Sequence, residues 1–254
     1  MRQALDVLCV GATHAEVRAL EAELARSQAC RAAGRPCRWG RIGELRVGVL
    51  VTGVGKANAA LTLGEALGSV RPALVLAVGV GGAYPSSGLG VGEVAAATEE
   101  IYGDEGVETA EGFLGMEELA LPLWEDAETR RFNRFPADAR VVTALRGAGA
   151  GGVPLRTGPF VTLSTVTGTQ TRAQELQRRF GGVCETMEGA AFAHAAAVHR
   201  LAFGEVRGVS NPVGPRERDA WQVEAAAAAA QDVVLRFLAQ WCPEAAERRP
   251  GAED

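Results

Sequence analysis

Short apolar runs rich in valine and leucine alternate along the chain with alanine-rich segments of helical period. Runs without polar alternation fit strands buried on both faces, and their alternation with helices is the pattern of a mainly parallel, helix-covered sheet. The pattern predicts strands over 6–10, 46–52, 73–78, 93–101, 155–163 and 205–209. It predicts helices over 15–27, 57–67, 137–146, 171–180, 187–198 and 220–241. Gly34, Pro36 and Gly40 mark residues 31–41 as a turn feeding a hairpin. The expected fold class is α/β: a three-layer sandwich with a mixed, mostly parallel central sheet and helices on both faces. No linker rich in Pro, Ser or charge interrupts residues 5–240, so 1–242 are expected to form a single domain and 243–254 a loose tail.

Glycines and isolated polar residues collect where predicted strands end: Gly11, Thr13 and Glu16; Gly53 and Gly55; Gly79, Gly81 and Gly82; Thr165; Glu188; Asn211. In an open parallel sheet these junctions lie along one edge, at the carboxyl ends of the strands, where ligands bind. One crevice lined by them is therefore expected. The Gly53-Val54-Gly55-Lys56 stretch lacks the spacing of a phosphate loop, and Ala57 replaces the hydroxyl that would hold magnesium, so it reads as a tight turn. Gly79-Val80-Gly81-Gly82 is half of a dinucleotide fingerprint without its third glycine or following helix. It reads either as a glycine turn or as a flat floor for a sugar or base.

Glu16 and Glu188 each fall in a predicted first helical turn, where a carboxylate complements the helix dipole. Glu188, however, stands between Met187 and Gly189 at the head of a helix with no solvated face, which implies burial and a need for partners. Asn211 precedes Pro212, an ordinary turn start, yet its amide supplies both a donor and an acceptor to a planar heterocycle. His14 reads as structural. The aromatic residues Trp124, Phe132, Phe135, Trp221, Phe237 and Trp241 read as packing.

Composition narrows the function classes. With 254 residues, 47% hydrophobic and 22% charged, the chain can bury a sizeable core without staples. A formal net charge of -5 argues against a nucleic-acid partner. The longest uncharged stretch, 72–92, is broken by six glycines and Pro85 and is a buried strand with a loop, not a membrane span. Asp6 inside the first apolar run argues against a targeting segment or anchor. Five cysteines and three histidines show no zinc-ligand spacing, so reduced thiols in a cytoplasm and no metal are expected. Lys56, the only lysine, is set aside as a phosphate clamp for the spacing reasons above.

Five motifs in register then carry a resemblance: Val10-Gly11-Ala12-Thr13-His14-Ala15-Glu16-Val17, Gly53-Val54-Gly55-Lys56, Gly79-Val80-Gly81-Gly82, Met187-Glu188-Gly189-Ala190 and Arg207-Gly208-Val209-Ser210-Asn211. Over residues 7–238 the chain resembles the purine nucleoside phosphorylase and nucleosidase superfamily. Its nearest likeness is to the methylthioadenosine/S-adenosylhomocysteine nucleosidases and, within that branch, to the futalosine hydrolases. The resemblance implies a nucleosidase needing no cofactor, with Glu16 as general base and Glu188, beside Met187, on the ribose hydroxyls. It places the backbone of Gly79, Val80 and Gly81 under the nucleoside, and Thr165 and Val166 at the base, with Val166 where the adenine enzymes stack a phenylalanine.

The adenine enzymes end the last motif in Ser-Asp, whereas this chain has Ser210-Asn211. A carboxylate accepts from a 6-amino group but repels a 6-oxo oxygen, and a mispaired buried polar group costs about 1–3 kcal/mol. Asn211 thus predicts a 6-oxopurine leaving group, as in futalosine on the menaquinone route. Arg216 and Arg218 are the candidates for the substrate's tail carboxylate, with a solvated loop as the plain alternative. Glu16 stands where the phosphorylases carry a phosphate loop, which favours water over phosphate. The rival readings are a 6-oxopurine nucleoside phosphorylase, a methylthioadenosine/S-adenosylhomocysteine nucleosidase and a non-catalytic purine-binding regulator. The resemblance also implies a homodimer or higher homo-oligomer, with residues 101–123, including Phe113 and Met116, closing a neighbour's pocket.

Overall fold

The computed structural model describes residues 2–149, 155–217, 219 and 221–243, so the tail expected over 243–254 lies almost wholly outside the described residues. The chain opens with β1 (Gln3–Gly11), a single 3₁₀ turn (His14–Glu16), the short α1 (Arg18–Ala22), the hairpin β2 (Ala25–Ala32) and β3 (Arg35–Ile42), and β4 (Leu45–Val51). There follow α2 (Lys56–Ser69), the long β5 (Val70–Ala83) and β6 (Val94–Tyr102). Five small strands come next: β7 (Gly106–Thr109), β8 (Gly112–Gly115), β9 (Trp124–Glu125), β10 (Arg130–Arg131) and β11 (Arg134–Pro136). The remainder is α3 (Ala139–Gly149), β12 (Leu155–Thr162), α4 (Gln170–Phe180), β13 (Cys184–Thr186), α5 (Gly189–Val198), β14 (Ala202–Pro212) and α6 (Val223–Gln240). No helix among the described residues is long and apolar enough to cross a membrane.

The alternation of side chains along each strand divides the core in two. Val7 and Cys9 of β1, with Leu74 and Leu76 of β5, pack against Leu20 of α1, Val141 and Leu145 of α3 and Val233 and Phe237 of α6. Leu8 and Val10, with Val75 and Ala77, face Leu63 and Leu67 of α2 and Phe192 and Ala196 of α5. Each fully buried Val, Leu or Phe among them contributes about 1.5–3 kcal/mol of transfer free energy. The sheet is therefore covered on both faces, as its strands' unbroken apolar runs predict.

The sheet is not simply open, however. β4, β1, β5 and β14 run parallel, β14 pairs antiparallel with β6, and β6 and β12 are parallel. β12 then pairs with β13, and β13 returns to the end of β5, so that five strands close into a ring. This corrects the reading of residues 79–82 as a turn beyond the strand: they continue β5 as extended backbone. Glycine is needed there for space, since a Cβ on Gly81 would collide with Cys184 Sγ where β13 crosses.

Two further expectations fail near the amino end. The helix predicted over 15–27 stops at Ala22, and Ala25 begins an edge strand whose residues are nearly all exposed, leaving no buried face for a sequence pattern to report. The expected hairpin turn is present at Ala33 and Gly34, both in the left-handed region. Its antiparallel register sets Cys30 opposite Cys37 with Cα atoms 5.0 Å apart, within disulfide reach, and the two are joined. Two of the five thiols are therefore not free, against the expectation of reduced cysteines.

Candidate active site

Glu16 sits in the 3₁₀ turn after β1, held by its own first turn and by β5. Its Oε2 accepts from the Thr13 N–H and hydroxyl at 2.8 and 2.9 Å, and its Oε1 accepts from the Val80 N–H at 3.0 Å. Glu188 is the N-cap residue of α5, and its Oε1 accepts from the Gly55 N–H at 2.8 Å. Gly55 adopts φ of 92°, which a side chain would resist, so the turn that presents this N–H depends on glycine. Both carboxylates are about 95% or more buried.

What brings the two together is Arg207 of β14, itself fully buried. Its Nη1 lies 3.7 Å from Glu16 Oε1 and 3.5 Å from Glu188 Oε2, and its Nε donates to Glu205 Oε1 at 2.6 Å. Burial alone would lower the guanidinium's pKa, but Glu205, Glu188 and Glu16 together raise it, so it stays charged. Burial raises the pKa of Glu188, opposed by Arg207 and the Gly55 N–H. Behind the cluster, burial and the charge of Glu205 push Glu100 well above the usual carboxylate range, while the Thr162 hydroxyl donates to it at 2.8 Å. The clustering requires Gly79: a Cβ there would collide with Glu16 Oε1 and Arg207 Nη1. Gly79 thus makes room for charges and does not itself line the cavity.

The carboxylates and Arg207 form one end of a cavity of about 310 Å³, and Asn211 lies on its wall. A β-bulge at Ser210 turns Asn211 toward it. Asn211 Oδ1 accepts from the Ser210 hydroxyl at 2.7 Å and Nδ2 donates to the Pro212 carbonyl at 2.9 Å, leaving one N–H and one lone pair for a ligand.

Of the other expected residues, Met187, Val80, Gly81, Val166 and Arg216 line the cavity, whereas Thr165 is exposed and off it. Thr165 lies in the exposed pair 164–165, and the chain turns inward only at Val166 and Thr167. The Arg216 guanidinium lies 4.9 Å over the ring of Trp221, which lines the cavity and does more than pack. Arg218 lies outside the described residues. Exposed His14 pairs with Glu21 at 3.2 Å and stays off the cavity. Lys56 meets Asp104 and Glu105 at 2.6 and 2.7 Å, so its charge is taken up by the fold and not by a phosphate.

Among the cavity residues that the sequence does not single out are Arg207, Trp221 and the buried Glu185. For Arg207 a signal existed. Glu205 and Arg207 are two apart in an otherwise apolar strand, so both point to one face and must satisfy each other or something inside.

A profile of the phosphorylase superfamily matches residues 6–239. The futalosine hydrolase of Thermus thermophilus is 37% identical over 201 residues, 79% of this chain and 84% of that protein. That of Streptomyces coelicolor is 39% identical over 157 residues, 60% of this chain and 61% of that protein. Among solved structures, the 5′-methylthioadenosine/S-adenosylhomocysteine nucleosidase of Neisseria meningitidis, in complex with methylthio-immucillin-A, superposes with a TM-score of 0.80 at 20% identity, over 94% of this chain and all of that one. The corresponding nucleosidase of Colwellia psychrerythraea, in complex with adenine, gives 0.79 at 22% identity over 94% and 96%. These two likenesses concern the fold, whereas the first two are likenesses of sequence. The chain belongs to the phosphorylase superfamily and, within it, to the futalosine hydrolase family.

Proposed function

We propose that this chain hydrolyses the N-glycosidic bond of futalosine, releasing hypoxanthine and dehypoxanthine futalosine in the cytoplasmic route to menaquinone. The reading rests on one observation: Glu16 and Glu188, joined through Arg207, stand at one end of a cavity whose wall presents Asn211. As the bond to the purine lengthens, positive charge grows on the ribose ring. Glu188 accepts the 2′ and 3′ hydroxyls, and its charge, shielded from water, opposes that build-up far more strongly than it would in solvent. Glu16 takes the proton of a water that adds to the anomeric carbon. The bonding electron pair leaves with the purine, which takes a proton from solvent at N7, while the proton on Glu16 returns to solvent after turnover. Asn211 accepts from that N7–H and donates to the 6-oxo oxygen.

Water is favoured over phosphate by charge. One guanidinium is already shared among Glu16, Glu188 and Glu205, so an incoming anion meets net negative charge. Arg216 is the candidate for the tail carboxylate of the substrate, which its exposure and its position on the cavity lining support. The reading includes one domain over 1–242 and a homo-oligomer, supported by the exposed Val107, Leu114 and Leu121 around the β7–β8 hairpin and checked by light scattering. The decisive assay is chromatographic detection of hypoxanthine from futalosine with and without phosphate. Release without phosphate is expected, and a phosphate requirement or no release overturns the reading.

A further inference from the structure

Lys56, the only lysine in the chain, takes no part in the chemistry above and does not line the cavity. It is nonetheless held as a charge. Its side chain is 14% exposed, its Nζ donates to Asp104 Oδ1 and Glu105 Oε1 at 2.6 and 2.7 Å, and it lies 5.3 Å over the ring of Tyr102. Burial alone would lower the ammonium's pKa, but the two carboxylates together raise it, so it stays protonated. Its place in the fold works against that charge. Lys56 is the first residue of α2, where the helix dipole disfavours a cation, and the first turn carries no acidic residue to offset it.

What the charge holds is the turn between β4 and α2. Gly53 and Gly55 both adopt the left-handed region, with φ of 88° and 92°, and no side chain caps the helix that follows. Glycine backbone has many accessible conformations and is fixed only by what ties it down. Before the turn's apex, the Gly53 N–H donates to the Ala12 carbonyl at 2.9 Å, and Asn58 Nδ2 donates to the Val54 carbonyl at 2.7 Å. After it, the Lys56 ion pairs tie the chain to residues 104 and 105. That anchor is itself secured. Buried Asn133 donates to the Tyr102 and Glu105 carbonyls at 2.9 and 2.8 Å, and Asp104 Oδ2 accepts from the Ser164 N–H at 2.7 Å. Between the ties stands the Gly55 N–H that Glu188 Oε1 accepts, while Arg207 meets Oε2. One contact to each oxygen sets the direction of the carboxylate.

We propose that Lys56 is a positioning residue for Glu188: by tying the Gly55 turn to Asp104 and Glu105, it fixes the carboxylate that grips the ribose hydroxyls. The proposal rests on the reading of Glu188 as the ribose clamp and deepens it. Removing the ammonium frees a glycine turn, and Glu188 loses the direction that the Gly55 N–H gives it. The effect falls on the sugar and not on the purine, because Asn211 bonds to Ser210 and Pro212 and not to the turn.

The test is calorimetric titration of inosine, 2′,3′-dideoxyinosine and hypoxanthine into the whole chain carrying Glu16→Gln, in which hydrolysis is suppressed. The ratio of the two nucleoside affinities reads the grip on the ribose hydroxyls. This parent is expected to favour inosine at least about ten-fold, since hydrogen bonds to a buried charge are lost in the analogue. Adding Lys56→Met should compress that ratio about five-fold and leave hypoxanthine binding unchanged, and Lys56→Arg, which keeps the charge, should restore most of it. An undiminished ratio in Lys56→Met overturns the proposal alone. So does an equal loss for all three ligands, the mark of a merely structural role. Where Lys56→Met does not fold, Asp104→Asn decides: it keeps an oxygen for Ser164, removes one counter-charge and should compress the ratio about two- to three-fold, and an unchanged ratio overturns the proposal. A parent that does not distinguish inosine from its dideoxy analogue overturns the ribose role of Glu188, and the proposal with it.

Discussion

The two ends of the cavity bury carboxylates by opposite means. At the reacting end, Glu16, Glu188 and Glu205 share one guanidinium, Arg207, with backbone N–H groups and the Thr13 hydroxyl as further donors. Across Gly82 from Asn211, Glu185 is held by two hydroxyls and one N–H, with no cation in ion-pair contact among the described residues. A shared cation lets two carboxylates converge on one bond without forcing either to take up a proton, which suits a site where positive charge must appear and disappear. Neutral donors steady a carboxylate without balancing its charge, and burial raises the pKa of Glu185. The same residue type is thus buried in one cavity through different company.

The comparison breaks most sharply at Arg207. Arg207→Met leaves three buried carboxylates without their cation and should cost about 3–5 kcal/mol of stability, measured by denaturant unfolding, together with hydrolysis. A stable, active variant would show that the cluster does not depend on it. Glu16→Gln keeps the hydrogen-bond acceptor and removes the base, so hydrolysis should fall about 10²–10⁴-fold while hypoxanthine binding and melting temperature hold. Loss of binding in step with turnover would place Glu16 in recognition instead.

Asn211→Asp sharpens the other end. A carboxylate opposite the 6-oxo oxygen should lower hydrolysis of futalosine by about ten- to a hundred-fold and narrow the gap to its 6-amino analogue, and unchanged preference in competition assays would remove Asn211 from base reading. A smaller effect is expected at the cavity edge: Arg216→Ala should raise KM for futalosine about five-fold, leave kcat intact and leave inosine, which lacks the tail, unaffected. The smallest concerns Glu100, whose pKa burial raises from an ordinary 4.5. Because the folded chain holds that proton more tightly than the unfolded one, its contribution to stability is full below pH 4.5 and is lost as pH rises through the folded value. Glu100→Gln should flatten that decline, and a pH–stability curve of unchanged slope would mean that Glu100 does not titrate there.

Much of this architecture is legible in the sequence, for physical reasons that differ by element. β1, β4, β12 and β14 are apolar runs because both faces are covered by helices, and the covering of both faces follows directly. The edge strand β2 is exposed along nearly its whole length, so it carries no hydrophobic period and reads as a helix tail. The glycines of β5 read as strand breakers because a local pattern cannot show that Cys184 and the Glu16–Arg207 pair occupy the space their side chains would take. At the site, Glu188 stands out because a polar residue heading a helix with no solvated face needs a partner, whereas Glu16 and Asn211 take their roles from the family resemblance. Trp221 stays hidden because nothing local says which neighbour it meets, and the one local trace of Arg207, its spacing from Glu205, does not name Glu16 or Glu188.

The sequence by itself determines a helix-covered, mostly parallel sheet, a crevice at its strand ends and three polar residues in it, because apolar periodicity and strand-end glycines are local properties of the chain. The tertiary structure alone decides that β13 returns to β5 and closes the ring, that Arg207 couples the two carboxylates, and that Glu185 and Asn211 face each other across Gly82. Those are relations between residues 19 to 191 positions apart, from Glu188 and Arg207 to Glu16 and Arg207. They are set by strand register and close packing, which no stretch of sequence carries alone.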